Sequence, residues 1–515
     1  MGDTGAKLPD DPALLKELVS ELRQQLEVER RLSQKLRNQV EQLARKLFGR
    51  KSEKLNPDQL SLVFEELHRL GFSEEPEEES EAPAPEPEEG PRARRRSGSR
   101  RKLPENLPRR RVEHHPPEEE LECSCGQRKR CIGKRTTEQL EYHPAWFEVI
   151  ENVEYVYACE DCDASVVSGS KPTPPIIKGL AGPGLLAYVL VSKYADHLPL
   201  YRLERIFKRL GIHLSRKTLC DWVGACANLL RPIVAEMKIA LLASRIVQTD
   251  DTSVPVLDPS LGQTRKGRLW VYIGDKDHPY IVYHYTPTRE RDGPAAFLEG
   301  YSGYLQADAY GAYDGIYAGG NVHEVACWMH ARRYYYEAGQ NDTGLPFTAL
   351  AFIKQLYQVE DAAKDMGSND RYKFRQEHSV PVLDSFKTWL DENEGAVLPK
   401  SPMGQAVGYS LRQWDALKRY TEDGDLSIDN GESERRLRLI ALGRKNWLFA
   451  GSDTGGEWAA DIYSIIETCK LHGVEPFAYL KDILERLPTH PPDAMAELTP
   501  KAWAEAQRPV LEAAA

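Results

Sequence analysis

Between residues 244 and 328 the sequence changes from helical spacing to a succession of short β-rich runs: SRIVQTDD, GRLWVYIGD, PYIVYHYT, YLQADAYG and VHEVACW. Three of these runs follow one another directly. A short helical stretch at about 294–299 comes next, and then a strand that leads into an acid, so the order predicts an α/β sheet. Two runs end in aspartate, Asp250 (with Asp251 beside it) and Asp308. Carboxylates where strands run out are well placed to hold metal ions. Each also has a plainer use, Asp250 as a turn or cap residue and Asp308 as a turn acid before Gly311.

Cutting or joining a phosphodiester requires charge stabilisation on the nonbridging oxygens, activation of water or a 3′-hydroxyl, and support of the leaving oxygen. Two divalent ions about 4 Å apart meet all three needs, and bridging them takes at least three carboxylates from separate elements. Hard cations such as magnesium select oxygen donors. The segment SIDNGESERRLRLIALGRKNWLFAGS supplies a third acid. A helix there would set Glu434 and Arg438 on one face with Arg435 beside them, so that a carboxylate and guanidinium groups address metal and phosphate together. The plain alternative is a solvated helix with a weak Glu–Arg pair. Arg444, Lys445 and Asn446 precede Trp447, joining charge to a stacking face suited to a phosphate backbone. Trp328, His330, Arg332 and Arg333 fit either the orientation of a phosphate or an ordinary helix face around a core tryptophan. Gly455–Gly456 would precede a helix over about 457–471.

Upstream, leucines and valines from Leu15 to Leu47 fall on two heptad rows, Leu15, Leu22, Leu36, Leu43 and Val19, Leu26, Val40, Leu47, interrupted at Glu29 and Ser33. That is a coiled-coil seam, and because nearly every off-seam position is charged or polar it points to self-association rather than to a single amphipathic helix packed on its own core. Residues 73–111 cannot bury a core: nine Glu between Glu74 and Glu89 are followed by RARRRSGSRRK and RRR at 109–111, a linker of opposite-sign blocks. Its basic half is either a phosphate contact or a solvated tail. Cys123-Ser-Cys125 and Cys159-x-x-Cys162 then frame a strand-like stretch, a pairing that can close a tetrahedral structural zinc site, with Cys131 as a spare thiol; the plain alternative is unliganded thiols. Helices over 201–210 and 215–229, separated by Gly211 with Ser215 as N-cap, fit a helix-turn-helix presenting Arg216, Lys217 and Thr218, although any αα-hairpin looks similar.

The 68 Lys and Arg against 79 Asp and Glu give a net charge of −11, so phosphate binding depends on local clusters rather than the sum. No apolar run approaches the roughly 18 residues of a membrane span, and the start has no signal-peptide core. Nine cysteines, an odd number, suit a reducing compartment. The expectation is a cytoplasmic protein.

Taken in order, LFGRKSEKL, LPENLPRRRVEHHPPEEELEC, SKYADHLPLYRLERIFKRLGIHLSRKTLCDWV, QTDDT, LQADAYGAY, CWMHARR, DNGESERRLR, GRKNWLFAGS and ETCKLHGVEPFAYL resemble the insertion-sequence sixty-six (TnpC-type) transposases across nearly the whole chain. The resemblance implies an RNase H-like catalytic core in which Asp250, Asp308 and Glu434 are the three acids, the last lying beyond a helical insertion of roughly 100 residues. Glu434 is preferred over Glu432. Family members usually read Asp-Glu-Thr where this chain has Asp250-Asp251-Thr252, C-x-x-C at Cys123–Cys125, and two asparagines where it has Asn430-Gly431.

The expected protein is therefore a DNA transposase with a coiled coil (12–50), a charged linker (73–111), a zinc module (112–170), a helix-turn-helix region (178–240), an RNase H-like core (241–470, insertion 335–425) and a C-terminal helical tail (471–515). It would bind double-stranded DNA at terminal inverted repeats and at the target, associate with itself, and work with small companion proteins at the bacterial nucleoid. Two magnesium or manganese ions would serve the chemistry, Asp250 bridging both while Asp308 and Glu434 each hold one. The rival readings are a DNA-binding regulator with a decayed core and a coiled-coil scaffold. A tyrosine or serine recombinase would need a dedicated nucleophile, and nothing singles one out.

Overall fold

The computed structural model describes residues 103, 107–122, 127–143, 146–158, 166–258, 260, 262–339 and 344–512. All of them belong to the second of two units, 99–515. The expected coiled coil at 12–50 and the four cysteines Cys123, Cys125, Cys159 and Cys162 lie outside the described residues.

The first sheet centres on a long antiparallel hairpin of β2 (Arg130–His143) and β3 (Trp146–Ala158). Strand β1 (Arg109–His114) lies parallel to β3 on its other side, and the short β4 (Val167–Ser168) also pairs with β3. The three arginines expected in a linker are thus strand residues. Arg109 pairs with Glu138 at 3.0 Å, and Arg110 and Arg111 face Glu148 and Glu151. These partners come from the hairpin, so local composition around 109–111 gave no sign of them.

Three helices follow: α1 (Pro183–Tyr194), α2 (Leu200–Arg209) and α3 (Arg216–Leu242). Gly211, at φ +81°, makes the turn between α2 and α3. Ser215 caps α3 by accepting from the Thr218 N–H at 3.1 Å. Helix α3 runs on well past the expected end near residue 229, through Pro232, because Leu230, Ile233, Val234, Met237 and Leu241 continue its apolar face into the core.

The second sheet has the order β7-β6-β5-β8-β9, with β5 (Ile246–Asp258), β6 (Gln263–Ile273) and β7 (Ile281–Thr286) antiparallel, and β8 (Gly303–Gln306) and β9 (Val322–Val325) parallel to β5. Helix α4 (Asp292–Phe297) joins β7 to β8, and a single turn, α5 (Asp314–Tyr317), joins β8 to β9. Beyond β9 come five helices, α6 (Trp328–Ala338), α7 (Leu345–Ala362), α8 (Ser368–Glu394), α9 (Pro402–Arg412) and α10 (Trp414–Lys418). They enclose a second core around Trp328, Tyr335, Ile353, Phe386 and Leu417. The chain then returns through α11 (Gly431–Trp447), α12 (Asp453–Leu471), α13 (Pro476–Arg486) and α14 (Pro500–Glu512).

Helices α1 and α3, the five-stranded sheet, α12 and α13 share one hydrophobic core. The helices read as a helix-turn-helix are therefore built into the body of the sheet. Gly455 and Gly456, expected ahead of a helix, instead lie in the first turn of α12, capped by Ser452, whose Oγ accepts from the Gly455 N–H at 3.1 Å. A Cβ on Gly456 would sit 2.5 Å from the Tyr285 ring, so this glycine permits close approach of α12 to β7.

Candidate active site

Strand β5 is longer than its β-rich run indicated, and Asp250 lies inside it rather than at its end. The parallel neighbour β8 covers only Ile246–Gln248, so β5 loses that partner immediately before Asp250. On the uncovered edge Pro255, which has no N–H to offer a neighbour, is tolerated, and its carbonyl accepts from Ala450 N at 2.9 Å. Asp308 follows β8 by two residues, so both carboxylates sit where the parallel pairing stops.

Glu434 reaches the same place from the first turn of α11. Just before that helix the chain is tied down at several points. Gln306 Nε2 donates to Ser427 O at 2.7 Å, Trp328 N to Ile428 O at 3.2 Å, Tyr357 Oη to Asp429 Oδ2 at 2.7 Å, and Asn430 Nδ2 to Thr249 O at 3.4 Å. Strand β5, strand β8 and the helical insertion therefore all fix the start of α11.

These elements border an open cavity of about 430 Å³ lined by Asp250, Asp251, Asp308, Glu434, Arg289 and Arg438, among others. Oxygens of Asp250, Asp251 and Asp308 lie within 4.8 Å of one another. Glu434 lines the same cavity without falling inside that limit. Burial, with the charges of Asp308 and Glu434 added, raises the Asp250 carboxyl to about 8. Burial also raises Asp308, against the pull of the Arg289 guanidinium.

Asp251 is already neutralised. Arg268 Nη1 donates to its Oδ2 at 2.9 Å, and Arg289 Nε and Nη2 reach its Oδ1 at 2.9 and 2.8 Å. Arg289 Nη2 also approaches Asp308 Oδ2 at 3.4 Å. A concentration of carboxylate oxygens, all hard donors, fits a divalent cation, and with Asp251 paired to two arginines the candidate ligands are Asp250, Asp308 and Glu434.

Glu432 is placed differently from Glu434. It binds Arg435 at 2.7 Å and Arg436 at 2.7 Å. Burial works to raise it, but these guanidinium groups outweigh burial and hold it below the usual carboxylate range. Glu434 instead has His330 Nε2 at 3.7 Å and Arg333 Nη2 at 3.8 Å. Burial and the Arg333 charge lower His330 to about 4, so at neutral pH the ring beside Glu434 is uncharged.

The other basic residues expected to contact phosphate divide into two groups. Arg216 and Lys217 are exposed at the start of α3, and Arg438 and Lys445 are exposed on α11. Thr218 is taken up by the Ser215 cap. Arg435 is paired with Glu432, and Arg444 donates to the Ser253 carbonyl and, at 3.2 Å, to its hydroxyl. Arg444 thus joins α11 to β5. Trp328 is fully buried, its indole N–H donating to Leu417 O at 2.8 Å, and Arg332 is exposed outside the cavity lining.

Sequence reasoning did not find Arg268 and Arg289. In the β5–β6 register Asp251 stands opposite Trp270, which puts Arg268 two residues away on the same face, a diagonal neighbour visible only once the strands are paired. Arg289 lies in a loop that carries no motif.

The raised Asp250 has a consequence for stability. The unfolded side chain releases its proton near pH 4, the folded one near 8, so the folded chain holds more protons between these values. Stability of the metal-free protein therefore falls as pH rises through that window. A divalent cation binds the deprotonated acids, so magnesium is expected to raise the melting temperature more at about pH 8 than at about pH 6. An equal or larger shift at the lower pH would contradict this.

Comparison with known proteins gives the family. Residues 178–458 match the model described as Transposase IS66 family, and 464–501 match the IS66 C-terminal element. Residues 35–112 match the Transposase C of IS166 homeodomain, and 120–163 match the zinc-finger binding domain of transposase IS66. Membership in a transposase family puts the chain, in general terms, among the nucleotidyl-transfer enzymes that depend on divalent metal. The chain belongs to the IS66 transposase family. Two relatives from Sinorhizobium fredii (strain NBRC 101917 / NGR234) are the uncharacterized proteins y4hP, 31% identical over 91% of this chain and 88% of its own, and y4qI, 33% identical over 86% and 84%. Among the described residues no helix is long and apolar enough to cross a membrane.

Proposed function

We propose that this protein is a DDE-type transposase that binds the terminal inverted repeats of its element and performs DNA strand cleavage and strand transfer, with Asp250, Asp308 and Glu434 as the catalytic acids. The observation that carries the reading is the convergence of these three carboxylates, from β5, from the loop after β8 and from α11, on one cavity. The sheet order, three antiparallel strands followed by two parallel ones with the acids where the parallel pairing stops, supports an RNase H-like core.

Magnesium or manganese held by the three acids would stabilise charge on the phosphate and activate the attacking oxygen. The protein's own part is positional. Strand β5 and the ties before α11 hold the carboxylates at fixed separation, and neutral His330 beside Glu434 adds no charge to compete with a cation. Exposed Arg216, Lys217, Arg438 and Lys445 would take the DNA backbone. Thr218, Arg435 and Arg444 would act by holding the elements that carry those residues.

The chain entering β2 and the chain leaving β3 carry the two cysteine pairs, and Arg130 and Ala158 are partners at that end of the hairpin. This supports a structural zinc held by Cys123, Cys125, Cys159 and Cys162. Self-association through 12–50, target-DNA capture, companion proteins and a cytoplasmic, nucleoid-associated location complete the proposal, with the domain limits given above.

The test is nicking of a labelled duplex carrying the element's own terminal repeat. Magnesium-dependent cleavage leaving 3′-hydroxyl ends is expected at the repeat boundary. A full-length chain that binds the duplex without metal and never nicks it, with companion proteins present, would make the protein a regulator.

A further inference from the structure

Asp251 is buried, with a side chain 1% exposed, and each of its oxygens accepts from a different arginine. One guanidinium, Arg268, already balances the Asp251 charge; the second, Arg289, is one-third exposed and lines the acid cavity. Its position is fixed on three sides. Nε and Nη2 are spent on Asp251, with Nη2 also near Asp308, and the guanidinium lies over the Tyr310 ring at 3.7 Å. Tyr310 Oη in turn donates to the Arg289 carbonyl at 3.0 Å. Nη1 makes no hydrogen bond among the described residues. A rigid planar donor with one edge committed and the other free, at the rim of a cluster built for cations, suits a phosphate oxygen.

We infer that Arg289, oriented by Asp251 and Tyr310, donates from Nη1 to a nonbridging oxygen of the scissile phosphate, and that Asp251 is a positioning residue rather than a metal ligand. This rests on the functional reading above. It also accounts for an acid next to Asp250 that the metal does not need: Asp251 offsets the charge of Arg289, so the guanidinium remains beside Asp308 without displacing a cation.

The experiment uses the full chain in single-turnover nicking of the terminal-repeat duplex, with the scissile phosphate either unmodified or carrying a single Rp or Sp phosphorothioate. Arg289→Ala is expected to slow nicking by about 10²–10³-fold, the scale of losing one fixed donor to a developing charge, with DNA affinity and the magnesium midpoint within about threefold of wild type. The Rp-to-Sp rate ratio should change in Arg289→Ala and return toward the wild-type value in Arg289→Lys. Asp251→Asn should slow nicking less than Arg289→Ala and alter the same ratio. An Arg289→Ala protein that nicks at the wild-type rate, keeps the wild-type ratio, or slows only through a shifted magnesium midpoint overturns the inference. Should Arg289→Ala melt early, the ratio measured on Arg289→Lys and Asp251→Asn decides. A wild-type chain that never nicks is a separate result, which overturns the functional reading itself.

Discussion

Glu434→Ala, Asp250→Ala and Asp308→Ala will each lower magnesium-dependent nicking by on the order of 10³-fold or more, whereas Glu432→Ala will stay within about tenfold of wild type. The two glutamates stand two residues apart in the first turn of one helix, yet they do different work. Glu432 holds Arg435 and Arg436, the latter also bound to buried Glu467 at 3.1 Å, so it anchors α11 to α12. Glu434 faces the acid cavity beside an uncharged histidine. Removing Glu432 leaves Arg436 with Glu467 and should show chiefly as a lower melting temperature. The measurement is the single-turnover nicking rate of all four variants on the same duplex, with DNA binding followed separately. If Glu432→Ala abolishes nicking and Glu434→Ala does not, the assignment of the third acid is reversed.

Arg375→Ala will destabilise the protein by about 3–5 kcal/mol, the scale of leaving one member of a buried ion pair alone. Arg375 is 1% exposed. It binds Glu360 through Nε at 2.8 Å and Nη2 at 2.6 Å, and it donates to the carbonyls of Tyr420, Asp423 and Leu426 at 2.8, 2.7 and 2.9 Å. One side chain thus ties α7 and α8 to the segment that leads back to α11. Its loss strands a carboxylate and the carbonyls of Tyr420 and Leu426, and leaves the Asp423 carbonyl with only the Leu426 N–H at 3.3 Å. Arg375→Lys should recover only part, since an ammonium cannot match the planar fork. Urea denaturation of the metal-free protein gives the number, and a cost below about 1 kcal/mol would show that water enters and replaces the guanidinium.

Much of the candidate site was legible because its residues mark themselves. Asp250, Asp308 and Glu434 each stand in a run whose periodicity is local, but the runs alone left each with a plainer use, and grouping the three came from the resemblance to a family rather than from the strands and helix themselves. What stayed hidden depends on pairing at a distance. The register of β5 against β6 brings Arg268 to Asp251, and the packing of a loop brings Arg289, with no signal in either local stretch. The same reason explains Arg109–Arg111, read as part of a charged linker but paired across strands with Glu138, Glu148 and Glu151. Arg444 looked like a phosphate contact because charge beside an aromatic residue does; its partner, Ser253, is 191 positions away. Helix α3 runs past residue 229, through Pro232, and α12 begins ahead of Gly455–Gly456, because burial of the flanking residues overrides local propensity.

Helix α11 is fastened to β5 at both ends, by Asn430 on Thr249 at its start and by Arg444 on Ser253 and the Ala450–Val256 bridge at its finish. The helices between β9 and α11 have their own core and rejoin the sheet at this seam. The third acid is thus held jointly: β5 grips α11 at both ends, while the excursion holds the seam at 427–430 through Tyr357 on Asp429 and Trp328 on Ile428 and sets His330 and Arg333 beside Glu434, so a change in those helices reaches the acids only through these few contacts.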